Sequence, residues 1–339
     1  MRSIHQLLDF KNKVDRELGR FLDQKLKESQ KIDPSLRELV GAVGDTVLGS
    51  GKRLRPAFCY FGYQACGGRR EKAILYTAQA VEFLHTMALI HDDIIDQSPL
   101  RRGQPTVHQL LGDPGAILAG DLSFVFADEI FTNSPFESQV IRKAQKYFDL
   151  LKREVIYGEY LDVLAPAEEK IDERRIRKIL EYKSGKYTVE RPLHLGAALA
   201  KAPSSAFKAF SGYGIPVGVA FQIQDDILGI FGQKGKTGKP IDSDLKEGKK
   251  TLLVVKALEK LKGSQKAKFG QILGNKSLAR KDFVWAKDKI NETGALAYSQ
   301  GLAKKLVQEG KRALNRYPFK KEGKDFLMGM ADYIIERER

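Results

Sequence analysis

Cysteine is scarce in this 339-residue chain: two residues, Cys59 and Cys66, sit seven apart in a stretch of apolar helical periodicity. They read as core thiols, and a disulfide framework is excluded. Unbroken apolar runs are short as well, none reaching the roughly 18 positions that a membrane span needs. The opening MRSIHQLLDFKNKVDREL mixes both charge signs, unlike a signal peptide, so a cytoplasmic location is expected. Period-two alternation rich in Val, Ile and Thr is nearly absent, which argues against a sheet. Internal repeats, low-complexity tracts and long Pro/Ser-rich linkers are missing too. One domain, residues 1–339, with 1–34 as an N-terminal helical segment, is the economical reading.

What is present is apolar residues recurring at three and four positions along almost the whole chain, 42% of it hydrophobic. The spacing predicts an all-α protein, with helices near 5–30, 35–49, 53–67, 70–97, 116–131, 136–164, 171–199, 204–231, 249–262, 278–290, 293–316 and 322–337. A net charge of +15 is compatible with nucleic acid, an anionic membrane surface or a phosphorylated substrate. Most basic residues of the last third fall at helical spacing beside apolar ones, as on a solvated face. No basic and aromatic interleaving points to base stacking, so nucleic acid is not expected, and membrane contact is at most peripheral.

The chemistry concentrates in two acidic stretches. In LIHDDIIDQSPLRRGQPTVH, Asp92 and Asp96 are four apart and share a helix face, with Asp93 about 100° around. Like charges at that spacing repel, so the array reads as a hard-metal site, Mg²⁺ shared with substrate phosphates, or as a solvated acidic helix end. Arg101 and Arg102 follow at a Gly103/Pro105 turn, permanently charged forks suited to phosphate oxygens. The second stretch, VAFQIQDDILGIF, places Asp225 and Asp226 inside an apolar helix; Asp244 follows in KPIDSDLKEGKK, among Lys239, Lys249 and Lys250. GSGKRLRPAF puts Lys52, Arg53 and Arg55 at a predicted helix start, where free amides also favour anions. It lacks the Gly-Lys-Ser/Thr ending of a Walker A loop. His85 lies two turns below Asp92. Taken alone it reads as a core histidine; Lys183 and Ser184, and Glu159 and Asp162, are weak signals by themselves.

GKRLRP, HDDIID followed by RRGQPT, FQIQDD and GKPIDSDLKEGK stand in an order and spacing that resemble the trans-type isoprenyl diphosphate synthases, or polyprenyl synthetases, over residues 35–335. The resemblance implies an all-helical fold of about ten core helices around a central cavity, usually as a homodimer. It further implies that Asp92 and Asp96 ligate two Mg²⁺ ions on an allylic diphosphate, with Asp93 supporting. Asp225 would hold a third Mg²⁺ with Asp226 and Asp244 nearby. Arg101, Lys183, Lys239 and Lys249 would contact the allylic diphosphate. Lys52, Arg55, His85 and Arg102 match the isopentenyl diphosphate pocket, while Ser184 stands where Thr is usual and Gln222 near the reacting carbons. The implied reaction is head-to-tail condensation with release of pyrophosphate, which takes the final proton, so no side chain is assigned as general base.

Two departures stand out. Gly229 occupies the last acidic position of the second motif, and Glu159 stands where Gln is common. In the family, product length follows bulk below the first motif. Here those positions are Ala88 and Met87, with Leu84 one turn deeper and Tyr157 or Tyr160 as further contributors. A flexible Met is an imperfect stop about 7.5 Å from Asp92 along the helix. This favours a twenty-carbon product, geranylgeranyl diphosphate, over farnesyl or longer chains. Head-to-head synthases and terpene cyclases leave GKRLRP unexplained. A non-catalytic partner subunit would be expected to have lost the acidic motifs, of whose usual six aspartates this chain keeps five.

Overall fold

The computed structural model describes residues 2–232 and 241–336, and it is all-α apart from one two-residue hairpin. The elements are α1 (Arg2–Ile32), α2 (Leu36–Leu48), α3 (Leu54–Ala65), α4 (Glu71–Ile95), β1 (Leu100–Arg101), β2 (Gln104–Pro105), α5 (Val107–Thr132) and α6 (Ser138–Leu164). They continue with α7 (Glu173–Leu180), a π-helical stretch over Glu181–Glu190, α8 (Arg191–Leu199), α9 (Ser204–Phe231), α10 (Ser243–Lys246) and α11 (Leu252–Lys260). The last four are α12 (Gly263–Ile272), α13 (Arg280–Glu292), α14 (Ala295–Asn315) and α15 (Lys321–Glu336). Two compact units are built from interleaved segments. The first is Met1–Lys152, Arg191–Phe210 and Tyr317–Met330; the second is Arg153–Glu190, Ser211–Arg316 and Ala331–Arg339.

In the first unit, α1 buries Leu7, Phe10, Val14, Leu18, Phe21 and Leu22, a three- and four-residue stripe that docks it along the core. Phe21 meets Phe83 and Phe126 edge-on, with centroids 5.2 and 5.4 Å apart. Helix α4 is buried nearly all round, from Ala73 to Ile90, as its almost uninterrupted apolar composition requires. It runs inside the protein until its last turn, where Asp92 and Asp96 become half-buried while Asp93 stays buried. Windows on α4 and α5 are apolar enough to cross a membrane by length and composition, although neither is an unbroken apolar run; the α4 window is 78% buried and the α5 window 33%.

The predicted helices are present, with instructive differences. Helix α5 begins nine residues earlier than expected and takes the GDPG breaker as a kink, with Gly112 at φ 68° and Pro114 just beyond. The single helix expected over 171–199 is three segments, because the π-helical stretch interrupts it; α10 and α12 were not anticipated. In the second unit, α9 presses on the π-helical stretch so closely that a β-carbon on Gly218 would lie 2.7 Å from the Gly185 Cα and the Ser184 carbonyl oxygen. Glycine at both contacts lets the backbones meet and fixes the height of Ser184 against α9.

Candidate active site

The first acidic cluster occupies the C-terminal turn of α4, the negative end of the helix dipole, and no basic residue stands in that turn. Three carboxylates there are doubly unfavourable unless cations compensate. One cation comes from the hairpin. Arg102 and Gly103 both take positive φ, 54° and 80°, as a tight two-residue turn requires, and β1 pairs Arg101 with Gln104. Arg101 donates from Nε to one Asp93 oxygen at 2.6 Å and from Nη2 to the other at 2.7 Å. Its Nη2 also lies 3.6 Å from Asp92 Oδ2. Burial alone would pull this guanidinium down, but the hydrogen bonds and charge of Asp93, with Asp92 and Asp96 behind, carry its pKa above the ordinary value.

The three aspartates therefore differ. Asp93 is buried and engaged through both oxygens by Arg101, whereas Asp92 and Asp96 are half-buried and one helical turn apart, as the spacing predicts.

Arg102 points elsewhere. Its Nη1 lies beside Gly49 and Gly51, where a β-carbon on Gly51 would come 3.4 Å from it. Here the start of α3 gathers the GKRLRP residues: Arg55 Nη1 is 3.0 Å from His85 Nε2. Burial, then Arg55, Arg102, Arg101 and Arg53, push His85 well below its usual pKa, so the ring is neutral and Nε2 accepts from Arg55. Arg102 itself is pulled down by burial and by Arg101, Arg53 and Arg55, with Glu82 opposing. Crowded arginines in a desolvated corner favour an anion there. The structure thus brings Arg55, His85 and Arg102 together in the first unit and aims Arg101 and Arg102 at different neighbours. Lys52 stands at the same loop.

In the second unit, Ser184 Oγ donates to Gln222 Oε1 at 2.8 Å, and Gln222 Nε2 donates to Asp226 Oδ1 at 3.0 Å. Asp226 is buried, and burial, then Asp244, with Asp225 and Asp162 adding, raise its pKa well above the carboxylate range against the Gln222 hydrogen bond. Gly229, which breaks the expected second motif, has a physical reason: a β-carbon there would lie 2.7 Å from Asp244 Oδ2. The carboxylate of Asp244, carried in on the first turn of α10, occupies the space that an acidic side chain at 229 would need. Lys183 Nζ donates to Glu159 Oε1 and Asp162 Oδ2, both at 2.6 Å, which joins three weak sequence signals into one cluster. Lys249 pairs with Glu247 at 2.9 Å. Lys239 lies outside the described residues.

Sequence reasoning missed the carboxylates that hold Arg53, namely Asp15 and Glu82. An acid in the apolar run AVEFLHT was a signal for Glu82; Asp15, on an amphipathic helix, offered none. Of the chain-length positions, Leu84 and Met87 are buried and Ala88 is half-buried. Tyr157 and Tyr160, named as further contributors to the floor, are exposed at 53% and 63%.

The family model for polyprenyl synthetase matches residues 37–290. A geranylgeranyl diphosphate synthase of Sulfolobus acidocaldarius is 38% identical over 298 residues, covering 85% of this chain and 88% of that one. A geranylfarnesyl diphosphate synthase of Aeropyrum pernix is 34% identical over 321 residues, covering 93% and 99%. Among solved structures, a geranylgeranyl pyrophosphate synthase from Corynebacterium glutamicum, complexed with isoprenyl diphosphate and magnesium, superposes with a TM-score of 0.93 at 30% identity, covering 97% of this chain and 98% of that one. The fold and the acidic and basic clusters define an all-α isoprenoid synthase. The chain belongs to the polyprenyl synthetase family, and it is an enzyme of the trans-isoprenyl diphosphate synthase class.

Proposed function

We propose that this enzyme condenses isopentenyl diphosphate head-to-tail with an allylic diphosphate, with geranylgeranyl diphosphate as the main product. The observation that carries the reading is the division of labour between neighbouring arginines. Arg101 is locked to the acidic turn of α4, while Arg102 joins Arg55 and His85 at a second anion site. Two diphosphates need two such sites.

A divalent cation fits the first cluster. No group of three or more His, Cys, Asp or Glu among the described residues forms a protein cage. Mg²⁺ seldom needs one, since it keeps several waters and is held by one or two carboxylates plus substrate phosphates. Asp92 and Asp96 are the carboxylates for it at the first cluster, and Asp225 with Asp244 at the second, in keeping with three ions in all. When bound, the metal offsets the charge that develops on the leaving diphosphate.

The chain's own residues do the rest. In the reaction the allylic C1–O bond breaks, the isopentenyl double bond forms a new bond to C1, and a proton leaves to pyrophosphate. Arg101 holds the allylic diphosphate beside Asp92; by the family pattern Lys183, Lys239 and Lys249 are the other residues assigned to that diphosphate. Lys52, Arg55, His85 and Arg102 hold isopentenyl diphosphate. Neutral His85 serves as a hydrogen-bonding partner there and brings no charge of its own. Ser184 and Gln222 form a polar chain that ends on Asp226, with Gln222 the residue near the reacting carbons by the family pattern. Such preorganised donors are worth about 3 kcal/mol each, or roughly a hundredfold in rate. Leu84 and Met87, buried below the first cluster with half-buried Ala88, set the floor for the growing chain, and their apolar surface excludes water from the cation. A second copy of this chain covers α5, whose outward face exposes Leu110, Ile117, Leu118 and Val125.

Incubation with labelled isopentenyl diphosphate, Mg²⁺ and five-, ten- or fifteen-carbon allylic primers, followed by chromatography of the dephosphorylated products, tests this directly. A twenty-carbon end point that disappears in Asp92→Ala is expected. Absence of product with every primer, from folded protein, would refute the assignment and favour a partner-dependent subunit. Light scattering should give a mass near twice the 38.0 kDa of one chain.

A further inference from the structure

Between Lys52 and Arg55 sits Arg53, which no role so far explains. It is 2% exposed, caps the start of α3, and holds the left-handed backbone conformation, φ 56° and ψ 35°. A non-glycine residue persists there only where its surroundings over-determine it. Three acceptors from three segments do so. Arg53 Nε donates to Asp15 Oδ1 at 2.7 Å, Nη1 to Glu82 Oε1 at 2.7 Å, and Nη2 to the Gly49 carbonyl at 3.1 Å. The loop is drawn onto this guanidinium so tightly that a β-carbon on Gly51 would lie 2.6 Å from Nη1. The two remote acceptors differ in depth: the Glu82 side chain is 6% exposed and that of Asp15 is 26% exposed. Lys11, one turn earlier on α1, also contacts the Asp15 carboxylate, through its other oxygen.

We infer that Asp15 and Glu82 are positioning residues for isopentenyl diphosphate, acting through Arg53 to fix the Gly49–Arg55 loop from which Lys52 and Arg55 project. The inference rests on the function proposed above. It brings α1 into the substrate site, although α1 ends at Ile32 and the family match begins at residue 37. The fork geometry of Arg53 is essential, because one planar group must satisfy α1, α4 and the loop at once. Arg53 offers no spare positive charge to substrate: two carboxylates outweigh it, and Lys11 on Asp15 brings the cluster to neutrality. Its contribution is to remove the freedom of the residues on either side. A misplacement of about 1 Å in such groups can cost up to a hundredfold.

The test is steady-state kinetics of Asp15→Asn, with Arg53→Lys as a second variant. Asp15→Asn leaves Arg53 its deeper partner Glu82, so the protein should fold; Arg53→Lys keeps the charge and loses the fork. Both should raise KM for isopentenyl diphosphate about tenfold, with KM for the allylic primer within twofold of wild type and product length unchanged. In an Arg55→Ala background, adding Asp15→Asn should change KM far less, since the group it positions is gone. An isopentenyl KM within twofold of wild type in folded, active Asp15→Asn overturns the inference. So does a parallel rise in both KM values, the mark of a general structural role. A wild-type chain that makes no product from any primer removes the assigned function, and the inference with it; in the other two failures the function stands.

Discussion

The structure separates the three aspartates of the first cluster, and their substitution should give changes of opposite sign. Asp93, with its side chain 5% exposed, accepts two hydrogen bonds from Arg101, whose side chain is 19% exposed. Breaking a buried pair by removing one partner costs about 3–5 kcal/mol. Asp93→Asn keeps one acceptor, and Asp92 Oδ2 at 3.6 Å can take over part of the charge. About 2 kcal/mol is therefore expected, or a fall in Tm of roughly 3 °C for a chain of this length, measured in EDTA. Asp96→Asn should do the reverse, leaving the metal-free Tm unchanged or slightly raised. It relieves a like-charge pair at i, i+4, worth about 0.2–0.5 kcal/mol, at the negative end of a helix. In activity the order inverts. Asp92→Asn and Asp96→Asn raise the Mg²⁺ needed for half-maximal rate and lower kcat about a hundredfold. Asp93→Asn changes Mg²⁺ dependence less, and only because Arg101 moves towards Asp92. Thermal unfolding in EDTA and Mg²⁺ titration of the rate decide the matter. An unchanged metal-free Tm for Asp93→Asn, with a Mg²⁺ requirement shifted as far as in Asp92→Asn, would refute the division of roles.

Three further outcomes are expected. Glu173 joins α7 to α11 and α14 by accepting from Lys256 at 2.8 Å, Tyr298 at 2.8 Å and Arg177 at 2.6 Å. Burial works against it, but these hydrogen bonds bring its pKa from 4.5 to about 2. A depressed carboxylate stabilises the fold above its unfolded pKa, so this stability is present above pH 4.5 and lost as the pH falls towards 2. After solvent screening it is worth about 2 kcal/mol, and Glu173→Gln should lower denaturant stability at pH 7 while flattening the acid limb; identical acid limbs in the two proteins would contradict this. Gly229→Asp, which completes the apparent motif, should destabilise the metal-free protein because Asp244 already fills the space, and Mg²⁺ should recover part of the loss; a variant as stable as wild type in EDTA would show that Asp244 does not hold that place. Met87→Phe should shorten the product and Met87→Ala lengthen it; unchanged chromatograms would move the floor to Leu84 or beyond.

The residue pattern alone determined the all-α class, because a 3.6-residue period shows in any window of a dozen residues, and the bounds of α6 and α9 lie within two residues of those read from it. It also marked where the chemistry concentrates, because charged residues inside apolar helices such as HDDIID and FQIQDD are costly without a ligand; the reaction itself came from the resemblance those motifs carry. Tertiary structure decided what each charge does. Asp92 and Asp93 are neighbours of one type, yet only the hairpin's return brings Arg101 onto Asp93. Gly229 reads as a lost ligand until the fold carries Asp244 into its place. Arg53 reads as one more basic residue until Asp15 and Glu82, 38 and 29 positions away, close on it. The π-helical stretch is equally illegible, and so is the close approach of its Gly185 to Gly218 of another helix. Local periodicity records which side of a helix is wet or dry. Contacts between residues this far apart leave no local period, and only the packed chain decides them.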